Sequence, residues 1–167
     1  FNELCIFGVT GSNDFPVSSS AFDATFNGGD SIVYDNVIGF PDGTDIYVVK
    51  LSEDGSQLLG GTYLGGSSND GLNYKLHYTQ ADPETGINYV QMHGSDSLYY
   101  NYGDGARGEI ITDPKNNIYI GSNTFSSDFS TGILNGYQQN HGGNMDGVVC
   151  KISKNLDELI WSSYFGS

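Results

Sequence analysis

Apolar residues in this chain fall in short runs, and polar turn residues separate one run from the next. The runs are rich in β-branched and aromatic residues, which is typical of strands rather than helices. The pattern predicts strands over residues 3–10, 46–51, 58–64, 109–112, 118–122, 147–152 and 159–165. We therefore expect an all-β protein.

The predicted strands belong to an internal repeat. Turn residues recur 114 positions apart: Asp14 with Asp128, Gly28 with Gly142, and Gly29 with Gly143. Later in each copy the offset falls to 101 positions, as it does from Asp45 to Asp146 and from Lys50 to Lys151. The difference of thirteen positions indicates an insertion in the first copy. Repeats of this kind are the first feature to identify, since they decide the architecture.

The repeat divides the chain into three parts. Residues 1–66 form a first repeat that lacks its first strand and carries an insertion at 30–44, which we interpret as a loop with a short apolar stretch. Residues 67–105 form a second insertion, with a hairpin between 74–79 and 87–92. Residues 106–167 form the complete second repeat. Tandem four-stranded units are typical of β-propellers, so we expect a propeller fragment of about two four-stranded antiparallel blades with loop or hairpin insertions.

The order and spacing of these motifs resemble the bacterial SBBP-type β-propeller repeat. The shared features are Asp-Phe-Pro at 14–16, Gly-Gly at 28–29, the strand 45–51 and Thr-Tyr-Leu-Gly-Gly at 62–66. The second copy departs from the pattern, with Ser130 in place of the Pro and Asn155-Leu156 in place of Asp54-Gly55. The segment 100–109 also resembles large surface proteins of Bacteroidota that end in gliding-motility-type C-terminal domains. The resemblance implies a secreted or cell-surface bacterial protein, an adhesin or a type IX secretion substrate.

Composition narrows the range of partners. The net charge of −14 excludes nucleic acid and anionic membrane surfaces as partners, and no apolar run is long enough to insert into a membrane. The acidic surface favours an extracellular or outer cell-surface location. Cys5 and Cys150 lie within apolar strands, so we favour buried free thiols over a disulfide.

The recurring polar residues have a structural interpretation. A catalytic residue is usually unique, whereas a turn residue recurs once per repeat. We therefore predict that these residues form tight turns, in which the aspartate side chains accept backbone N–H bonds. The predicted turn residues are Asp14, Gly28, Gly29, Asp45, Asp128, Gly142, Gly143 and Asp146. The two recurring lysines either hold an acid between strands or lie on a solvated face. We predict no catalytic residue and no cofactor.

Two alternatives concern ligands. Oxygen-rich loops provide the hard ligands that calcium prefers, and the candidate residues for a structural calcium site are Asp42, Asp45, Asn69 and Asp70. Solvated turns explain the same residues. A tyrosine-rich surface suits a glycan or a protein partner, and its candidates are Tyr74, Tyr78, Tyr99, Tyr100 and Tyr102. We favour the alternative that the same rings pack the insertion onto the edge of the blade.

The favoured function is a non-enzymatic scaffold or interaction module. Its expected partners are other blades of a larger protein or another protein chain, together with glycans or the secretion and surface machinery. One alternative is part of a carbohydrate-active propeller enzyme with acids from several blades. Another is a cargo or partner segment held in a larger assembly.

Overall fold

The chain folds into β-sheets, and its described residues contain no helix. A computed structural model describes residues 3–34, 37–72, 90–92, 108–129 and 136–166. The strands are β1 (Leu4–Thr10), β2 (Ile32–Tyr34), β3 (Val37–Phe40), β4 (Asp45–Leu51), β5 (Leu58–Leu64), β6 (Val90–Met92), β7 (Gly108–Thr112), β8 (Ile118–Thr124), β9 (Asp146–Ile152) and β10 (Leu159–Phe165). Within these residues no helix has the length and apolar character needed to cross a membrane.

Two antiparallel sheets correspond to the two sequence repeats. The first sheet has three strands in the order β1-β4-β5, and the second has four in the order β10-β9-β8-β7. The strands β1, β4 and β5 match β8, β9 and β10 in register, because Thr10 pairs with Asp45 just as Thr124 pairs with Asp146. The all-β class and the count of three and four strands are confirmed.

The insertion at 30–44 differs from the predicted loop. It contains the antiparallel pair β2–β3, because Ile32 and the residues after it are the β-branched and aromatic types that favour strands. Ile32 itself is fully buried. The strand β6 then pairs with β2 in parallel. Residues 74–79, the other half of the predicted hairpin, lie outside the described part of the chain.

The two main sheets share one hydrophobic core. The first sheet contributes Ile46 and Val48 to it, and the second contributes Val148 and Cys150. By the repeat alignment, residues 46 and 48 correspond to 147 and 149. Side chains of neighbouring residues in a strand point to opposite faces. The sheets therefore pack head to tail, and the inner face of the second sheet is equivalent to the outer face of the first.

Both cysteines are free thiols, as predicted. Cys150 is fully buried in the shared core, and its burial raises the pKa of the thiol to about 12. Cys5 packs at the edge of the same core and is half-buried. Burial also raises the pKa of the Cys5 thiol, although the nearby Lys50 ammonium opposes the change. Both side chains therefore act as apolar core residues.

Candidate functional site

The segment that joins the two sheets carries the densest polar network in the described chain. We call residues 65–72 the linker. It leaves β5 at Gly65 and reaches Asp70, which forms an isolated antiparallel bridge with Thr124 at the end of β8. The backbone supports this contact on both sides, since Phe125 donates to the Asn69 carbonyl at 3.1 Å and Gly71 donates to the Asn123 carbonyl at 2.8 Å.

The linker binds to three side chains of the second sheet, which lie at the end of β8 and in the loop that follows it. We call Thr124, Ser126 and Asp128 the receptor triad. The Thr124 hydroxyl donates to Asp70 Oδ1, and the Ser126 hydroxyl lies 2.9 Å from Asp70 Oδ2. Asp128 Oδ1 accepts the backbone N–H of Ser67 at 2.8 Å. The triad therefore binds the linker through both its backbone and its one carboxylate.

Ser126 is the central residue of the triad. Its hydroxyl accepts the Ser68 N–H at 3.0 Å and lies 2.9 Å from the Ser68 carbonyl oxygen. A Cβ at Gly66 would lie 2.5 Å from Ser126 Cβ and from Asp128 Oδ1. Only glycine therefore lets the linker approach the triad this closely.

The linker is held from the first sheet as well. The Thr44 carbonyl accepts the Asp70 N–H at 2.8 Å, and the Thr44 hydroxyl donates to the Asp70 carbonyl at 3.0 Å. Asn69 Oδ1 accepts the Thr44 N–H at 2.9 Å, and its amide group donates to the Asp30 carbonyl at 3.0 Å. Residues of both repeats thus form hydrogen bonds with the same segment of the linker. Thr44, Asp70 and Thr124 are fully buried. Breaking these bonds would therefore cost free energy, because water does not reach the freed polar groups.

Two buried carboxyls lie in this network. Burial is the main cause that raises the pKa of Asp70 to about 8 and that of Asp45 to about 7. The charge of Asp45 further raises the pKa of Asp70, and the charge of Asp23 further raises that of Asp45. Hydrogen bonds from Thr124, Gly66 and Ser126 lower the pKa of Asp70 but do not outweigh desolvation. The pair therefore holds protons near neutral pH.

The predicted turn aspartates have different partners. Asp45 accepts the backbone N–H groups of Asn27 at 2.7 Å and Gly28 at 3.1 Å, and Asp146 accepts that of Gly142 at 2.7 Å. The second oxygen of Asp146 is buried and has no hydrogen-bond partner among the described residues. Asp45 and Asp146 thus close the Gly-Gly turns of their own repeats.

Asp128 and Asp14 act differently from Asp45. Asp128 binds Ser67 of the linker, so its partner lies outside its own loop. Asp14 is exposed and accepts a hydrogen bond from the Ser12 hydroxyl. Sequence reasoning found these positions through their recurrence but missed Thr124 and Ser126. Their own 114-residue recurrence, from Thr10 and Ser12, was the available signal.

The recurring lysines each hold an acid. Lys50 lies 2.8 Å from Glu3 and also donates to the Lys154 carbonyl at 2.8 Å. Lys151 lies 3.1 Å from Asp113, and its ammonium is 4.8 Å from the centre of the Tyr119 ring. These pairs tie β4 and β9 to the strand ends and turns beside them.

The four calcium candidates lie close together, and the side-chain oxygens of three of them accept hydrogen bonds within the protein. Asp70, Asp45 and Asn69 accept hydrogen bonds from protein N–H and O–H groups, and the Asp42 carbonyl accepts the Gly29 N–H at 3.0 Å. Within the described ranges, no group of three acidic, histidine or cysteine side chains is arranged to hold a metal ion. The hydrogen-bonded geometry is that of a structural network.

A polar cleft of about 570 Å³ opens beside the linker. Its polar lining comes from the first-sheet loops, from the linker and from one residue of the loop before β9: Asn27, Asp30, Asp42, Ser67, Ser68, Asn69 and Asn144. Asp30 and Asp42 are exposed at its rim. The predicted tyrosine surface, Tyr74, Tyr78, Tyr99, Tyr100 and Tyr102, lies outside the described residues.

Comparisons of the chain with models of known protein families, with curated proteins and with solved structures give no match. The fold and site define an all-β protein of two antiparallel sheets joined by a buried polar linker.

Proposed function

We propose that the chain is a non-enzymatic scaffold and interaction module of the β-propeller type, part of a large secreted or cell-surface bacterial protein. The observation that carries this proposal is the linker, in which Ser67, Ser68 and Asp70 are bound by the receptor triad of the following repeat. The side chains of the receptor triad and of Asp70 are used here to join structural units. The resemblance of the repeats to those of large surface proteins supports the secreted or cell-surface location.

The packing of the sheets supports a tandem architecture. Sheets that meet through equivalent faces form a closed pair, whereas sheets that meet through opposite faces leave one copy of each face available. Here opposite faces meet. The outer face of the second sheet carries half-buried Tyr119, Val149 and Trp161, and Phe165 is 52% exposed. Such stacking is the arrangement in which repeats bury their faces against neighbours on both sides.

The proposal is tested by uncoupling the two sheets. Ser126→Ala removes the hydroxyl that contacts Ser68 and Asp70. We expect the coupling of the sheets to weaken, so that linker amides exchange through a local opening of lower free energy than global unfolding, measured by native-state hydrogen exchange. Exposed Ser127→Ala, which lies beside the triad, is the matched control and should leave one cooperative transition. If the two sheets already unfold independently in the unaltered chain, the linker does not join them and the scaffold proposal is wrong.

The polar cleft favours glycan processing as a second candidate function. Asp30 and Asp42 both line it, and a pair of carboxylates is the usual machinery of glycoside hydrolysis. Under this alternative the chain turns over a polysaccharide, and Asp30→Asn or Asp42→Asn abolishes turnover with an unchanged melting temperature. Turnover with that mutational pattern would favour the enzyme over the scaffold. Absence of turnover in a screen of soluble polysaccharides is the result we expect.

A further inference from the structure

We propose that Thr10, Ser12 and Asp14 form a second linker receptor, which binds the Gly-Gly-Ser-Ser-Asn-Asp segment of a further repeat unit. We call these three residues the first-repeat triad. They precede Thr124, Ser126 and Asp128 by the same 114 positions. The inference rests on the proposed function, since it names the partner of a tandem repeat module.

The strand ends that carry the two triads have the same register. Thr10 is the last residue of β1 and pairs with Asp45, and Thr124 is the last residue of β8 and pairs with Asp146. In both copies the threonine hydroxyl accepts the backbone N–H of the serine two residues later. These distances are 3.1 Å for Ser12 and 2.9 Å for Ser126. The first two residues of each triad therefore have the same local geometry.

An equivalent tyrosine fixes the rest of each loop. The Tyr63 hydroxyl donates to the Ser12 carbonyl at 2.8 Å and accepts the Phe15 N–H at 3.0 Å. The Tyr164 hydroxyl makes the same two bonds in the second repeat, to the Ser126 carbonyl at 3.0 Å and from the Phe129 N–H at 3.1 Å. The loop between triad serine and phenylalanine is therefore held in the same way twice.

The two triads differ in their exposure. Thr124 and Ser126 are fully buried under the linker. Thr10 and Ser12 are only half-buried, whereas the aspartates of both triads, Asp14 and Asp128, are exposed. The Ser12 hydroxyl donates to Asp14, whereas the Ser126 hydroxyl is directed to the linker. A bound linker would exchange the local Ser12–Asp14 bond for bonds to the incoming segment.

The neighbouring surface fits the same partner. The outer face of the first sheet is equivalent to the inner face of the second, which packs against another sheet. Tyr47 and Tyr63 lie on that outer face and contact the Phe15 ring, with centroids 4.4 and 5.9 Å away. A unit stacked there would have its linker beside the first-repeat triad. We therefore commit to a repeat unit of the same kind as the occupant.

The bound linker defines the sequence that the first-repeat triad would recognise. Its Gly66 position has no room for a side chain, Ser67 and Ser68 are bound through their N–H groups, and Asp70 supplies the carboxylate. We expect the segment Gly-Ser-Ser-x-Asp to be selected, with the glycine and the aspartate as the most discriminating residues.

The probe is a synthetic peptide with the sequence of residues 62–72, titrated into the full chain and followed by the backbone amide shifts of Ser12 and Asp14. We expect a saturable shift at both amides. A peptide with Asp70→Ala should bind about tenfold more weakly, a loss of about 1.4 kcal/mol. Ser12→Ala in the protein should weaken binding of the unaltered peptide similarly, whereas the exposed neighbour variant Asn13→Ala should not.

Three outcomes would overturn the inference. One is the absence of any shift, and another is an equal shift with a scrambled peptide. The third is a shift confined to Ser126 and Asp128, which would mean that the peptide only competes with the chain's own linker. Hydrogen exchange on Ser126→Ala tests the scaffold function separately. If the sheets unfold together but the Ser12 amide shift does not change with the peptide, the proposed function still stands and only this inference is wrong.

Discussion

The side chain of Asp70 in the linker accepts a hydrogen bond from Thr124, the last residue of β8. The Asp70 backbone is at the same time paired with Thr44, which immediately precedes β4 of the other sheet. One fully buried residue therefore contacts both sheets. A polar contact in this position constrains the relative placement of the sheets, because apolar core contacts alone are not directional.

Asp70→Ala should destabilise the chain. The substitution leaves the Thr124 hydroxyl and the Gly66 N–H without their Asp70 acceptor, whereas the Ser126 hydroxyl keeps the Ser68 carbonyl. Because each such buried group costs about 1–3 kcal/mol when unpaired, and the removed carboxyl was itself costly to bury, we expect a net loss of about 1–3 kcal/mol. Chemical denaturation with the exposed control Asp30→Ala checks this. A loss no larger than that of the control would contradict it.

Stability should fall as the pH rises from about 5 to about 8. The pKa values of Asp45 and Asp70 are raised to about 7 and about 8, so the folded chain retains protons that the unfolded chain releases above pH ~4. Their stabilising effect is complete below that pH and disappears as the pH passes through the folded pKa values. Melting temperatures measured across this range test the expectation.

Other carboxyls determine how the stability of the fold changes at low pH. Hydrogen bonds from Ser52 and Ser56 lower the pKa of Asp54 to about 2, and contacts with Asn117 lower that of Asp113. Their stabilising effect is present above pH ~4 and is lost as the pH falls below it. We therefore expect maximum stability near pH 4–5. Asp70→Asn should flatten the decline between pH 5 and 8, and an unchanged slope would show that Asp70 does not cause it.

The strands and the repeat could be predicted because both depend on local sequence. Predicted residues 58–64 and 159–165 match β5 and β10, and the other main strands differ by one or two residues at one end. The hairpin β2–β3 was missed because its runs are short and its insertion is rich in Gly, Pro and Asp. Its parallel pairing with β6 joins distant segments, which alternation along one strand cannot reveal.

The contacts of the linker could not be predicted from the sequence, for a different reason. Recurrence identifies Asp14 and Asp128 as equivalent, but it does not show that Asp128 binds Ser67. That contact depends on how the two sheets stack. In the sequence, Asn69 and Asp70 fit both a calcium site and a hydrogen-bonded turn, because the two use the same residue types. Only burial and partner geometry distinguish the two.

Tyr63→Phe and Tyr164→Phe should have similar costs. Each variant keeps the buried ring and removes one hydroxyl, which leaves the N–H of Phe15 or Phe129 without its acceptor. We expect each to lose about 1–2 kcal/mol of unfolding free energy. Exposed Tyr137→Phe is the matched control and should change it little, since Tyr137 is 90% exposed. Costs that differ greatly between the two sites would contradict the equivalence of the loops.

Leu156→Gly tests a conflict between backbone strain and burial. Leu156 has a φ of 62°, in the left-handed region, and replaces the Gly55 of the first repeat, whose φ is 71°. Its side chain is fully buried in the shared core. Glycine would relieve about 1–2 kcal/mol of strain, but losing a buried leucine costs about 2–5 kcal/mol. We therefore expect a net destabilisation of about 1–3 kcal/mol in denaturant unfolding.

The reciprocal change Gly55→Leu separates the two contributions. A Cβ at Gly55 meets nothing within 4 Å, so a leucine there gains no core contact and should cost only the left-handed strain of about 1–2 kcal/mol. Leu156→Asn serves as a second control, because asparagine tolerates this backbone region but does not fill the core. If Leu156→Gly and Leu156→Asn both increase stability, strain outweighs packing at this turn, and the Leu156 side chain does not help to hold the two sheets together.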